Sequence, residues 1–197
     1  ESLIYDHART DSVDNLITVT GVKYTTARQG AQQTVDLAMR KLERPPVGCR
    51  TDVTPVNGGK ITQFNDYLSQ ALQLRAAGIS EQSMTHLVHS YGSNHAAVLN
   101  LAAEETDRTK TVTAKSPVLK AEIIHAVRQE MAQTLADVLY RRTPIGAIES
   151  LDRESLRTYA SLMADELGWD QARREKEIAA ASSEFIRSTN LADHGAS

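Results

Sequence analysis

Apolar and polar positions fall into two regimes along this chain. Residues 3–20 hold two short apolar, partly β-branched runs, Leu3-Ile4-Tyr5 and Leu16-Ile17-Thr18-Val19-Thr20, around a polar segment at Arg9-Thr10-Asp11-Ser12. β-Branched and aromatic residues favour strands, so this region predicts one or two of them. Isolated strands are marginal alone, and these are expected to belong to a larger sheet. From residue 25 the apolar spacing changes to three and four: Ala27, Ala31, Val35, Ala38 and Leu42 form a stripe that predicts a helix over 25–42. Thr25 or Thr26 can cap its N-terminus. Arg44-Pro45-Pro46-Val47-Gly48 ends it, and residues 49–60 read as a loop.

Beyond residue 60 the pattern is helical almost throughout. Helices are predicted over 62–76, over 81–91 with Ser80 as N-cap and Gly92 as terminator, and from Ser93 through Leu101. A charged, Thr-rich connector spans 104–115. One long helix is predicted over 119–142, with Ile123, Val127, Met131, Leu135 and Val138 on one side. Asp152 can cap a helix that Gly168 closes, and Asp170 can cap a last helix running to about residue 187, followed by a frayed tail. The fold class read from this pattern is mainly α: a helical bundle with a short N-terminal β-strand leader.

Composition narrows the function classes. The 197 residues include 22 basic and 25 acidic ones, for a formal charge of −3. That balance argues against a nucleic-acid-binding surface. No apolar run approaches the ~20 residues of a membrane span. The lone Cys49 excludes an internal disulfide or a multi-cysteine metal site, and a reducing, intracellular setting is expected. No secretory signal is evident; with no initiator Met and an opening apolar patch that has no obvious partner, the chain is expected to be a piece of a longer protein.

One stretch has a chemical shape. In residues 16–28 a strand runs into Gly21, Lys23 follows, and a helix begins. A helix N-terminus presents free N–H groups and the positive end of the dipole, which favours an anion or developing negative charge. The plainer reading is a solvated lysine after an ordinary turn. Neither G-x-x-x-x-G-K-[ST] nor G-x-G-x-x-G occurs. His86 and His89 share a helix face and His95 follows, but no carboxylate is evident beside them, so a packed or solvated face is expected in place of a metal site. His125 reads as a satisfied, semi-buried histidine. Arg141 and Arg142 suit a helix C-terminus, and Arg173-Arg174-Glu175-Lys176-Glu177 reads as a solvated mixed-charge run.

The stretch Leu16-Ile17-Thr18-Val19-Thr20-Gly21-Val22-Lys23-Tyr24-Thr25-Thr26-Ala27-Arg28 closely resembles a signature of the FAD-dependent, respiratory glycerol-3-phosphate dehydrogenases. Further segments resemble landmarks of that family's C-terminal helical domain, in order: Tyr91-Gly92-Ser93-Asn94, Ala121 through Arg128, Glu130-Met131-Ala132, Leu135 through Leu139, Arg141-Arg142-Thr143, and Glu166-Leu167-Gly168-Trp169-Asp170. The resemblance reaches to about Ala181.

It implies a parent enzyme that oxidises sn-glycerol 3-phosphate to dihydroxyacetone phosphate and passes electrons through FAD to a quinone. Residues 1–22 would be a residual strand segment of the flavin and substrate domain, 23–44 a flavin-facing helix, 45–190 the C-terminal all-α domain and 191–197 a tail. Gly21, Val22, Lys23, Tyr24 and Thr25 would face the flavin, and Lys23 would be the catalytic residue, as a fixed positive charge. FAD would bind the parent and not this chain alone. The expected partners are the N-terminal FAD and substrate domain and glycerol 3-phosphate, without nucleic acid. The expected location is cytoplasmic, with the parent peripheral on a membrane.

Three positions depart from the family pattern. Val22 replaces a glycine, Tyr5 stands where an arginine is usual, and Gln129 replaces a histidine. These departures leave room for another small substrate. The alternative is a non-catalytic all-α interaction module that has lost contact with flavin.

Overall fold

A computed structural model of the chain describes residues 3–21, 23–148 and 151–194, with residues 184–194 given by backbone alone. It is mainly helical and divides into two compact units, Glu1–Val56 and Asn57–Ser197.

In the first unit, strands β1 (Leu3–Asp6) and β2 (Ile17–Thr20) form an antiparallel pair, with Ile4 opposite Val19 and Tyr5 opposite Thr18. One helical turn, α1 (His7–Thr10), follows β1, and Asp6 caps it by accepting from the Ala8 N–H. A 3₁₀ turn (Tyr24–Thr26) then leads into α2 (Ala27–Lys41). The Lys41 ammonium lies 2.6 Å from Asp6 Oδ1 and ties the end of α2 to the end of β1. Among the described residues of this unit only Gly30 is buried. The apolar stripe of α2 is present, yet Val35 and Leu42 stand exposed. Sequence periodicity here marks a face that the unit itself does not cover.

The second unit has real cores. Helices α3 (Phe64–Gln73), α4 (Glu81–Tyr91) and α5 (His95–Glu104) enclose a small one of Ala71, Met84, Leu87, Val88, Val98 and Ala102, joined by Leu119 and Ala121. The larger core lies between α6 (Lys120–Glu130), α7 (Leu135–Asp137), α8 (Ile145–Ile148), α9 (Arg153–Leu167) and α10 (Gln171–His194). Ile123, Leu135, Leu139, Ile145, Tyr159 and Met163 are among its fully buried members. None of the helices, among the described residues, is long and apolar enough to cross a membrane.

Local chemistry sets most of the boundaries. Ser80 accepts from the Ser83 N–H at 3.0 Å, and Asp152 accepts from the Ser155 N–H at 2.8 Å, so both act as the expected N-caps. Asp170 accepts from the Arg173 N–H at 2.7 Å. Gly168 ends α9 in the left-handed region. Gly92 ends α4 at φ 55° and ψ −131°, a conformation suited to glycine, and a side chain there would collide with the Gly58 carbonyl.

The long helix expected over 119–142 is in fact broken. Met131 adopts a left-handed conformation at φ 58°, α7 follows after a short link, and the chain continues as one π-helical segment (Val138–Arg142). The Ala126 carbonyl accepts from the Met131 and Ala132 N–H groups, and the Arg142 Nε–H donates to the Glu130 carbonyl at 2.9 Å. Thr134 and Asp137 then cap the new start reciprocally. Three smaller expectations also change. The connector at 104–115 holds a 3₁₀ turn (Thr106–Thr109). Residues 92–94 form a 3₁₀ turn before α5, and α10 continues to His194.

Candidate functional site

β2 delivers Gly21 and Lys23 to the start of α2. Lys23 is extended, at φ −132° and ψ 127°, and its carbonyl accepts from both the N–H and the hydroxyl of Thr26, each at 3.2 Å. The Thr26 hydroxyl is therefore turned back and does not cap α2, contrary to the expectation for Thr25 or Thr26. The first-turn N–H groups of α2 consequently have no side-chain acceptor from the N-cap.

Beside this turn lies an open cavity of about 690 Å³, whose lining includes Val19, Gly21, Lys23, Tyr24, Gly30 and Ala31. Tyr24 is fully exposed at its edge. Small residues dominate the α2 wall, and the Thr34 hydroxyl folds back onto the Gly30 carbonyl at 2.7 Å. The wall is thus apolar and close to backbone, with one cation at its mouth. Of the residues singled out at the turn, Gly21, Lys23 and Tyr24 meet at this cavity, Thr25 is exposed and does not line it, and Val22 lies outside the described residues. Tyr5 is on the other face of its strand from Ile4 and Asp6, half exposed.

The second unit gathers several of the other landmark segments around one buried carboxylate. Glu122 is fully buried and takes the Leu119 N–H at 2.8 Å and His86 Nε2 at 3.0 Å. Burial, with Glu122 and Glu130 beside it, pushes the Tyr91 phenol above its usual range. The Tyr91 ring stands edge-on to His125 at 5.4 Å. His86 therefore does have a carboxylate partner, supplied from α6. Spacing along α4 could not reveal it, because the two residues lie 36 positions apart. His125 is buried and, contrary to expectation, not satisfied: Nδ1 has no hydrogen-bond partner, and Nε2 lies 4.0 Å from Glu130 Oε1.

The charged run at 173–177 is also not simply solvated. Glu177 is buried and accepts from the Leu135 N–H at 2.9 Å, Arg173 pairs with it at 2.7 Å, and the Arg173 guanidinium sits 5.7 Å from the Trp169 ring centre. Arg128 forms a bidentate pair with Glu166, at 2.7 and 2.9 Å. Gln129 is exposed beside it. Among the described residues no group of three or more His, Cys, Asp or Glu side chains is arranged to hold a metal.

Taken together, a helical unit with two cores follows a strand–turn–helix segment in which Gly30 is the one buried residue among those described. Residues 49–174 match the family model described as the C-terminal domain of alpha-glycerophosphate oxidase, and the chain belongs to that family. It is 30% identical over 177 residues to a glycerol-3-phosphate dehydrogenase of Synechocystis, covering 89% of this chain and 32% of that protein. A probable mitochondrial glycerol-3-phosphate dehydrogenase of Dictyostelium discoideum is 32% identical over 174 residues, covering 87% and 27%. The X-ray structure of the Bacillus halodurans glycerol-3-phosphate dehydrogenase complexed with FAD superposes with a TM-score of 0.74 at 27% identity, covering 86% of this chain and 35% of that one. The chain therefore spans about a third or less of these relatives.

Proposed function

We propose that this chain is the C-terminal part of an FAD-dependent glycerol-3-phosphate dehydrogenase and is inactive without the remainder. The observation that carries the reading is the cavity at the start of α2. It combines an apolar wall of small residues, a helix N-terminus without a side-chain cap, and Lys23 at its mouth. An isoalloxazine edge needs a flat apolar neighbour and a positive end for the charge it gains on reduction, and these residues fit both demands. Bound FAD would supply the hydride acceptor for the alcohol C2–H of sn-glycerol 3-phosphate, and dihydroxyacetone phosphate is the product.

The chain's own contribution is electrostatic. The dipole of α2, whose N-terminus has no side-chain cap, favours negative charge at the mouth of the cavity, where it develops. Lys23 adds a fixed positive charge for the reduced ring or the substrate phosphate. Gly21 and Tyr24 shape the rim, and Val22 and Thr25 adjoin it in sequence. The remaining electron path, to a quinone, and a peripheral position on the cytoplasmic face of a membrane complete the proposal. The first unit, with its uncovered α2 face, would pack against the N-terminal FAD and substrate domain.

The test uses the intact protein that carries this chain. Its visible spectrum is expected to show bound flavin, and anaerobic sn-glycerol 3-phosphate is expected to bleach it. Absence of flavin absorbance would overturn the enzyme reading in favour of a non-catalytic helical module. Flavin that stays oxidised would keep the oxidoreductase and reject this substrate, as the departures from the family pattern at Tyr5, Val22 and Gln129 allow.

A further inference from the structure

The first unit holds a second cavity, open and of about 410 Å³, between β1, α1 and α2. Its lining includes Asp6 from β1, Arg9 from α1, and Gln33, Leu37 and Arg40 from α2. Spacings of four and three put the last three on one face of α2. Ile4 and Leu37 are half-buried and give the cavity an apolar wall. No residue of this lining is shared with the cavity beside Lys23.

The charges here do not balance. Asp6 is the one acidic residue in the lining. Its Oδ1 lies 2.6 Å from the Lys41 ammonium, both side chains are largely buried, and this contact holds the Asp6 carboxyl below its usual value. Lys41 therefore neutralises Asp6. Arg9 lies 3.6 Å from Asp6 Oδ2, a long contact for a side chain that is 83% exposed, and exposed pairs of this kind hold little. Arg40 has no hydrogen-bond or ion-pair partner among the described residues. Two guanidinium groups thus border one cavity with no carboxylate left to answer them, and Gln33 adds an amide donor on the same helix face as Arg40.

A guanidinium presents a planar fork of N–H donors that fits phosphate oxygens two at a time. Two unanswered positive charges match a phosphate monoester, which carries about −1.5 to −2 near pH 7, better than a single carboxylate. The cavity has the size of a small-molecule site and an apolar wall for carbon. We propose that it binds a small phosphate monoester, with the phosphate on Arg40 and Arg9 and the carbon skeleton against Ile4 and Leu37. The site is separate from the flavin reading and does not depend on it.

Titration calorimetry of the intact protein with glycerol 2-phosphate tests it. This ester carries its phosphate on C2, so an oxidation at that carbon cannot consume it. Saturable binding is expected, weakened roughly tenfold by Arg40→Gln and by Arg9→Gln, and less by Arg40→Lys, which keeps the charge. Both arginines are exposed, so these variants are expected to unfold at the temperature of the unaltered protein. Lys23→Ala is expected to leave this binding unchanged. No saturable binding in the unaltered protein would overturn the proposal, as would arginine variants that bind equally well. Binding lost in Lys23→Ala and kept in Arg40→Gln would place the ester at the first cavity and overturn it too. Inorganic phosphate bound as tightly as the ester would reject the role of the apolar wall, and with it the monoester.

Discussion

Glu122 and Lys23 show how differently a charge can be read from sequence. Lys23 was conspicuous in the sequence because its neighbours carry a pattern, a strand and a glycine before it and a helix after it. Glu122 was not, because its partners come from α4 and from its own helix cap, and nothing local announces them. The same holds for Glu177, whose carboxylate serves the Leu135 N–H at the start of α7. Two substitutions test this scale. In the intact enzyme Lys23→Ala is expected to lower turnover roughly 10- to 100-fold and to change unfolding free energy by less than about 0.5 kcal/mol, because the residue is exposed. Unchanged turnover removes Lys23 from the site. Gly92→Ala should be costly in stability alone, by roughly 2–4 kcal/mol in urea unfolding, since it combines an unfavourable backbone conformation with a collision against the Gly58 carbonyl. A loss below 1 kcal/mol would mean that the turn relaxes freely.

Elements ended by a local signal were legible. Ser80 and Gly92 bracket α4, and Asp152 and Gly168 bracket α9, because caps and left-handed glycines act over a few residues. The break in the expected helix over 119–142 has no such sign: no glycine or proline lies there, and the apolar spacing runs on. It is imposed by Arg142 reaching back to the Glu130 carbonyl and by the Thr134–Asp137 box starting a new turn. That box makes the break pH-dependent. Burial opposes ionisation of Asp137, but the Gln133 N–H, the Thr134 hydroxyl and N–H, and Arg141 outweigh it, so its carboxyl lies below the usual value. A lowered folded-state value contributes stability that is present above the unfolded value, near pH 4, and is lost as pH falls through the folded one. Asp137→Asn is therefore expected to destabilise at pH 7 and to differ less from the unaltered protein at pH 3, by thermal unfolding at both. Thr134→Ala should cost about 1 kcal/mol with a smaller pH dependence. A gap for Asp137→Asn that is equal at both values would show that its charge is not what starts α7.

For the whole molecule, the decisive contrast is between a unit with cores and a unit without one. Sequence periodicity gave α2 an apolar face, and from pattern alone that face looked like any core-facing stripe. Which surface it meets is not encoded in the stripe, and within Glu1–Val56 nothing covers it: Gly30 is the one buried residue described. A segment that buries so little cannot offset the entropy of ordering its backbone, so its order must come from surfaces it packs against. Relatives three to four times longer than the stretch they share with this chain would supply such a surface. Limited proteolysis followed by mass mapping separates the possibilities. In the chain expressed alone, cuts are expected first within residues 3–56, with α9 and the start of α10 surviving longest, because amides there close over Tyr159, Met163 and Ile178. In the intact protein the same bonds in 3–56 should become resistant, while the pattern across the helical unit changes little. Resistance of 3–56 in the chain alone would mean that α2 finds a partner within it or in a second copy, which sedimentation would distinguish. The α2 face would then be occupied, and the wall ascribed to the flavin would have to be placed elsewhere.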